Sequence, residues 1–274
     1  MGISFRSEQV SQHVTRIFGF YSELMYLIEG NREAVLIDTG CGVGSLASYV
    51  HTLTDKPVRV LLSHGHLDHA MGSIEFDNVY LSPLDMEVYR IHSNLDYRLS
   101  FQKVFGQNAL AHSLPLLSPM PTDKLQPLHD GDSFDLGGIA VTAIACPGHS
   151  PGSFAFLIPQ ERILMLGDAC NSFTFLFEDN CSSVYDYRDS LIRFNQKVAG
   201  TYDSVLLSHD LGIGVSDVID QVIAVCDAVL AGAVKGTDYT FLHLKGMIAM
   251  PVDEKGKRLD GKFGNIVFNP QRIV

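Results

Sequence analysis

Short apolar runs recur along the chain, with turn-forming residues between them. Many of the residues in these runs are aliphatic or β-branched, a composition that favours β-strands. Several runs are apolar nearly throughout, which is expected of strands that are covered on both faces. The predicted strands lie in AVLIDTG, VRVLLSHG, VYLSP, IAVTAIACPG, SFAFLIP, RILMLGD and SVLLSHD.

Amphipathic stretches with helical spacing interrupt these strands and predict a layered α/β structure. They are GVGSLASYVHTLT, RDSLIRFNQKVAG and SDVIDQVIAVCDAVLAG. Residues 84–128 differ, because aromatic residues, histidines and prolines follow one another there without strand patterning. We interpret this segment as a helical cap inserted into a single domain of residues 1–274. The segments YTFLHLKGMIAMPV and GKFGNIVFNP predict a closing hairpin or paired strands.

Composition narrows the class of protein. The chain has 274 residues, 46% of them hydrophobic, enough for one large core. Its formal net charge of −11 opposes binding to nucleic acid or to an anionic membrane. The N-terminus MGISFRSEQV lacks a signal-peptide core, and no run approaches the ~20 apolar residues of a membrane span. We therefore expect a cytoplasmic protein, with homo-oligomerisation left open.

The five cysteines are widely scattered and form no C-x-x-C pair. This spacing predicts neither a disulfide framework nor a thiolate zinc site. We interpret them as small buried residues. The metal chemistry of the chain, if any, must therefore come from other side chains.

The stretch LLSHGHLDHAMG concentrates metal-binding side chains directly after a predicted strand. In an extended segment every second side chain points the same way, so His64 and His66 can address one ion. The turn that follows allows Asp68 and His69 to approach a second position. Imidazole and carboxylate ligands suit zinc, iron or manganese better than calcium.

Other candidate ligands share one position, at the end of an apolar strand and before small or turn-forming residues. His149, Asp168 and His209 are placed in this way. Asp38 closes AVLIDTG similarly, and could either bind a metal or accept the N–H of a ligand histidine. Each one alone could be a capping or turn residue. Together they predict a metal site at one edge of a sheet.

The motif His64-x-His66-x-Asp68-His69 resembles that of the metallo-β-lactamase-fold hydrolase superfamily, and the resemblance extends to Asp38, His149, Asp168 and His209. It implies a four-layer αββα sandwich of two facing mixed β-sheets with outer helices. It also implies two divalent metal ions, with zinc favoured over iron or manganese. By this resemblance His64, His66 and His149 hold the first ion, Asp68, His69 and His209 hold the second, and Asp168 bridges them.

This resemblance implies a hydrolase that uses a metal-bridging hydroxide on a small ester, thioester or lactone. Asp68 would also orient the hydroxide and pass a proton to the leaving group. PGHSPGS and LGDA are most similar to the branch containing glyoxalase II-type thioesterases and acyl-homoserine lactonases. The alternatives are a phosphodiesterase, a mononuclear iron persulfide dioxygenase, and a metal-binding protein without catalytic activity.

The sequence encodes the substrate poorly. Aromatic side chains near the motifs could line a pocket, or could bury one face of a strand. Arg90, His92 and Arg98 in the cap could hold an anionic group, or could be exposed helix residues. The aromatic candidates are Tyr21, Tyr26, Phe173, Phe175, Phe177, Tyr185 and Tyr187.

Overall fold

The computed structural model describes residues 4–105, 114–241 and 244–274. In chain order, the strands within these ranges are β1 Arg6–Gln9, β2 Val14–Phe18, β3 Leu24–Glu29, β4 Ala34–Ile37, β5 Val58–Leu61, β6 Val79–Leu81, β7 Gln126–Pro127, β8 Ser133–Asp135, β9 Ala140–Ala145, β10 Phe154–Ile158, β11 Ile163–Met165, β12 Thr174–Leu176, β13 Ser204–Leu206, β14 Ile213–Gly214, β15 Thr237–Phe241, β16 Leu244–Ile248 and β17 Ile266–Phe268. The α-helices are α1 Leu46–Leu53, α2 Leu67–Ala70, α3 Met86–His92, α4 Leu95–Phe105, α5 Val184–Val198 and α6 Val218–Leu230.

Two mixed sheets face each other. Among the described residues, the first has seven strands in the order β1 to β7, antiparallel as far as β4 and parallel beyond it. The second has six strands in the order β14-β13-β11-β10-β9-β8, in which β11 and β13 are parallel neighbours. The parallel strands end at the same edge of their sheet, which is where the candidate ligands follow them.

Side chains alternate across the strands and so build three apolar layers. Leu24 and Tyr26 of β3 lie in the core between the two sheets. Met25 and Leu27 point the other way, into the core that contains Leu46 of α1. On the outer face of the second sheet, a third core contains side chains of α5 and α6. This order of helix, sheet, sheet and helix confirms the predicted αββα fold class.

The C-terminal part of the chain adds a third sheet. Its strands have the order β12-β17-β16-β15 within the described ranges. β16 and β17 pair in antiparallel fashion, with Met247 opposite Phe268, as the predicted paired strands require. However, the first predicted segment contributes to two strands, β15 and β16, and its residues 242–243 lie outside the described residues. The parallel pairing of β12 with β17 was not predicted.

The segment predicted as a cap contains α3 and α4, and its residues 106–113 lie outside the described residues. Its C-terminal end differs from the prediction, because β7 pairs with β6 and extends the first sheet. Gln126 lies opposite Tyr80 in this pairing. The short β7 has only two residues, too few for the patterning by which a strand is predicted. The division into one domain with an inserted cap stays a prediction.

The cysteines are buried and unpaired, in agreement with their interpretation as core residues. Burial raises the pKa of Cys170 and Cys181 to about 12, so both are held as neutral thiols. Within the described part of the chain, every helix is too short or too polar to cross a bilayer. The buried cysteines are Cys41, Cys146, Cys170, Cys181 and Cys226.

Helix α5 fixes the loop that carries His149. The Tyr187 side chain is fully buried in α5, and its hydroxyl donates a 2.7 Å hydrogen bond to the Ala169 carbonyl. Gly148 packs directly against this ring, because a Cβ atom on Gly148 would lie 2.1 Å from Tyr187 Cδ2. Only glycine leaves enough space for the ring at this position.

We therefore expect Gly148→Ala to destabilise the protein by about 1–3 kcal/mol, the usual cost of overpacking a core. Chemical denaturation of the variant would measure this loss. The double variant Gly148→Ala/Tyr187→Leu tests the cause, since a smaller side chain removes the clash. Its loss should be smaller than the sum of the two single losses. Strict additivity would contradict the proposed packing constraint.

Candidate metal centre

The loops after five strands converge at one edge of the facing sheets. Asp38 follows β4, and His64 follows β5, its parallel neighbour. Asp168 follows β11, and His209 follows β13, which is parallel to β11. His149 follows β9. The structure thus brings the predicted strand-end residues together from both sheets.

One group of side chains comprises His64, His66 and His149, whose candidate ligand atoms lie within 4.8 Å of one another. His149 Nδ1 donates to the Phe175 carbonyl at 2.9 Å, so its Nε2 carries the lone pair. This Nε2 lies 3.1 Å from Nδ1 of His66. His64 directs Nδ1 to the Ser63 hydroxyl at 3.0 Å, which leaves its buried Nε2 for the centre.

A second group comprises Asp68, His69 and His209, again with atoms within 4.8 Å of one another. The Asp68 carboxylate lies 3.5 Å from His209 Nε2 and 3.8 Å from His69 Nε2. Asp168 lies between the two groups, since its Oδ2 is 3.1 Å from His209 and 3.9 Å from His149. A carboxylate in this position can face two cations at once.

Several buried polar atoms in these groups have no hydrogen-bond partner among the described residues. They are Nε2 of His64, His66 and His69, and Oδ1 of Asp168. An unpaired buried donor or acceptor costs about 1–3 kcal/mol. Their convergence is difficult to explain as packing, whereas a cation would satisfy them. The mixture of imidazole and carboxylate donors fits zinc and related transition metals.

The electrostatics also favour bound positive charge. Burial lowers the pKa of His64 and His66 well below the usual value, so both are neutral and present lone pairs. Burial has the same effect on His209, but Asp168 and Asp68 outweigh it and raise its pKa to about 9. Although burial opposes the charge of Asp168, His209 and His69 keep the pKa of this carboxyl well below its usual range.

Asp38 lies behind the centre and orients His69. Its Oδ2 accepts hydrogen bonds from His69 Nδ1 at 2.8 Å and from the Ser63 hydroxyl at 2.8 Å. Its Oδ1 accepts the Ser63 backbone N–H at 2.7 Å. The side chain is buried, and the backbone has a positive φ of 62°. Of the two roles that the sequence left open, Asp38 thus has the one that holds a histidine by its outer N–H.

Asp85 is a structural carboxylate that the sequence analysis missed. It is completely buried, and its Oδ2 accepts from Gly65 N at 2.7 Å and from the Ser150 hydroxyl at 2.8 Å. Its Oδ1 accepts from Gly152 N at 2.6 Å. Gly65 separates His64 from His66, and Ser150 follows His149, so Asp85 ties together two loops of the centre. Asp85 lies in the segment predicted as a cap, and nothing in the neighbouring sequence indicates that it contacts these loops.

His92 and Glu178 extend the cluster towards the cavity. The His92 ring stacks on His66 with centroids 4.2 Å apart. Leu67 N donates to His92 Nδ1 at 3.3 Å, which places the ring proton on Nε2, 3.8 Å from Glu178 Oε2. His66, His92 and Glu178 are close enough to hold an ion. This tautomer of His92, however, presents an N–H rather than a lone pair, which favours pairing with Glu178.

Of the three cap residues considered for anion binding, His92 lines the cavity beside the centre, and the two arginines have other roles. Arg98 is buried and donates to the carbonyls of Leu117 and Cys41, at 2.7 and 3.2 Å, so it joins loops. Arg90 is exposed and pairs with Glu87 one helical turn away. Both arginines lie outside the lining of the cavity beside the centre.

A cavity of about 440 Å³ opens onto the two groups. Of the predicted aromatic residues, Tyr21, Phe173 and Phe175 line it. Tyr26 does not, because it belongs to β3 and donates to the Leu207 carbonyl inside the core. The other candidates also lie elsewhere. Tyr187 and Phe177 are buried in apolar clusters, and Tyr185 is exposed on α5.

The family of the chain follows from residues 18–215, which match the family model of the metallo-beta-lactamase superfamily. The chain belongs to this superfamily. Human acyl-coenzyme A thioesterase MBLAC2 is 28% identical over 209 residues, which cover 68% of this chain and 72% of that protein. The atrochrysone carboxyl ACP thioesterase of Aspergillus terreus is 27% identical over 172 residues, covering 59% of this chain and 45% of that protein.

Solved structures support the same fold. A metallo-beta-lactamase from Pontibacter korlensis aligns with a TM-score of 0.60 and 16% identity, covering 81% of this chain and 98% of its own. The sec-alkylsulfatase Pisa1 from Pseudomonas sp. aligns with a TM-score of 0.61 and 16% identity, and the alignment covers 84% of this chain and 42% of that protein. Superfamily membership and the thioesterase relatives confirm the prediction of a hydrolase. The narrower resemblance to glyoxalase II-type enzymes stays a prediction.

We expect Asp85→Asn to destabilise the protein, because one of the three donors would then face an amide N–H. Hydrogen bonds to charged groups contribute about 1.5–3 kcal/mol each, and a loss in this range is expected in chemical denaturation. Asp77→Asn is the matched control, since Asp77 is exposed on the surface. Equal stability of the two variants would show that Asp85 does not hold the loops together.

Proposed function

We propose that the chain is a metal-dependent hydrolase of small thioesters. The observation that carries this proposal is a cavity whose lining joins residues of the two ligand groups to a set of aromatic side chains. The aromatic residues are Tyr21, Tyr97, Phe101, Phe173, Phe175, Tyr239 and Phe241. Such a cavity suits an apolar acyl group, and the nearby donors suit a metal that activates a carbonyl. The relatives named as acyl-coenzyme A and acyl carrier protein thioesterases support the choice of a thioester over an oxygen ester or lactone.

Two divalent metal ions are the proposed cofactors, with zinc favoured over iron or manganese. When bound, such a pair lowers the pKa of a coordinated water and polarises a substrate carbonyl. The division of the donors into two groups with Asp168 between them supports two ions. The first group is His64, His66 and His149, and the second is Asp68, His69 and His209.

The side chains of the centre have separate tasks in this proposal. Asp38 and the Phe175 carbonyl fix the imidazoles of His69 and His149 in one orientation, so little rearrangement is needed. The Asp68 side chain is 20% exposed and lines the cavity. It is the carboxylate placed to hold a proton and to pass it to the departing thiolate.

The other candidate activities have less support. A phosphodiester carries a negative charge, yet Lys255 is the one lysine or arginine among the described residues that line the cavity. A mononuclear persulfide dioxygenase would leave the second group of donors without an ion. A purely metal-binding role does not account for the adjoining cavity.

We expect purified protein to hydrolyse thioesters faster than lactones and phosphodiesters of similar overall size. Chelation should abolish this activity, and zinc or manganese should restore it, because the proposed reaction depends on the bound metal. A hydrolysis panel on metal-quantified protein provides the measurement. Undiminished turnover by protein shown to be free of metal would refute the proposal. Preferential turnover of phosphodiesters would favour the alternative function of a phosphodiesterase.

We expect Asp168→Asn to weaken metal binding and turnover together, because a neutral amide cannot serve two cations. Losses above the 10–100-fold typical of residues that only support metal ligands are expected. Elemental analysis and steady-state kinetics measure both effects. Asp210→Asn is the control for metal content, since Asp210 is the exposed neighbour of His209. If the variant keeps two tightly bound ions, Asp168 is not a ligand of the proposed metal centre.

A further inference from the structure

Four aromatic residues from the third sheet and the residues next to it form one part of the cavity lining. Phe173 and Phe175 come from the β12 region, and Tyr239 and Phe241 come from β15. The Phe175 ring lies 5.0 Å from that of Phe241 and 6.1 Å from that of Tyr239. The Phe173 ring lies 5.8 Å from that of Tyr239. We refer to these four residues as the aromatic wall.

The alternation of side chains along β15 places Tyr239 and Phe241 on the same face of the third sheet. Tyr239 and Phe241 are partly buried, whereas Asp238 and Thr240 between and beside them are exposed, as strand alternation requires. Tyr239 is paired with Gly246 of β16. A Cβ atom on Gly246 would lie 3.1 Å from Phe177 Cβ, so glycine permits the close packing of this layer.

All four rings are partly exposed and line the cavity. Phe173, Phe175 and Phe241 contain no side-chain polar atom that could pair with a substrate. An apolar surface of this kind gains free energy by excluding water from a second apolar group. It therefore selects for a hydrophobic substrate part rather than for a charged one.

The aromatic wall is also directly connected to the metal centre. The Phe175 carbonyl accepts the hydrogen bond of His149 Nδ1, while the Phe175 ring lines the cavity. One residue thus joins the ligand histidine to the apolar surface. A group that rests on this ring lies in the cavity that His149 also lines.

Part of the wall lies beyond the segment that defines the family. The superfamily match ends at residue 215, whereas Tyr239 and Phe241 belong to the later β15. The centre itself is complete by His209. Selectivity for the substrate can therefore vary independently of the residues that hold the metal.

We propose that the aromatic wall is the acyl-binding site, and that it selects thioesters with an extended hydrophobic acyl group. The proposal rests on the thioesterase function proposed above. Each methylene buried against the wall should strengthen binding about fourfold, the equivalent of about 0.8 kcal/mol. The gain should stop when the chain has filled the cavity.

Binding of inert analogues tests this site without requiring turnover. The probes are S-alkyl thioethers of N-acetylcysteamine, from S-ethyl to S-dodecyl, titrated calorimetrically into the protein as purified. Kd should fall about fourfold per methylene over the shorter chains and then level off. Tyr239→Ala and Phe241→Ala should weaken binding of the S-octyl probe by about tenfold or more, with little change for the S-ethyl probe.

Tyr185→Ala is the matched control, because Tyr185 is an exposed tyrosine outside the cavity. It should leave the dependence on chain length unchanged. Phe241→Leu keeps an apolar side chain and provides a milder variant, and thermal unfolding checks that each variant is folded. A Kd independent of chain length, or equal effects of Tyr239→Ala and Tyr185→Ala, would overturn the proposal.

Hydrolysis of the corresponding acyl thioesters separates this site from the proposed function. If the thioethers bind with the expected dependence but thioesters are not hydrolysed, the aromatic wall binds hydrophobic chains and the thioesterase function is wrong. If thioesters are hydrolysed at rates and affinities independent of acyl length, the function stands and the acyl site is refuted.

Discussion

The structure depends on holding imidazoles and carboxylates close together, several of them buried beneath the cavity lining. His64 and His69 are almost completely buried, and each has one ring nitrogen without a partner among the described residues. Such an arrangement is unfavourable unless a cation completes it. Much of the nearby hydrogen bonding holds these side chains in the orientation in which their unpaired atoms converge.

That orientation comes from groups on different layers of the fold. Asp38 fixes His69 from the end of β4, and the Phe175 carbonyl fixes His149 from the third sheet. Asp85 joins the loop of Gly65 to the loop of Ser150 and Gly152. Because these supports come from distant parts of the chain, the centre is a product of the whole tertiary structure.

The sequence predicted those features that local patterns encode. The apolar runs indicated the buried strands, and the motif around His64 indicated the donors that the structure brings together. Asp85 was missed because its partners are 20 and 65 or more residues away, and no local pattern relates them. For Arg98 the sequence left open an anion-binding role and an exposed position on a helix, and nothing in its neighbourhood shows that it reaches the Cys41 carbonyl. Long-range hydrogen bonds were thus the main information that the sequence did not reveal.

The aromatic candidates also show that the sequence does not separate core residues from residues that line the cavity. Tyr26 and Tyr187 are as aromatic as Phe175, yet their hydroxyls donate to backbone carbonyls inside the core. Phe175 instead lies on an added sheet whose inner face meets the cavity. In the proposed hydrolase, the metal centre and the substrate surface therefore come largely from different parts of this chain. The candidate ligands follow strands of the two facing sheets, while the apolar surface comes largely from the third sheet. Phe175 belongs to both, because its carbonyl holds His149 and its ring lines the cavity. Tyr239 and Phe241 of β15 are therefore the part of this surface that can change with the least effect on the donors.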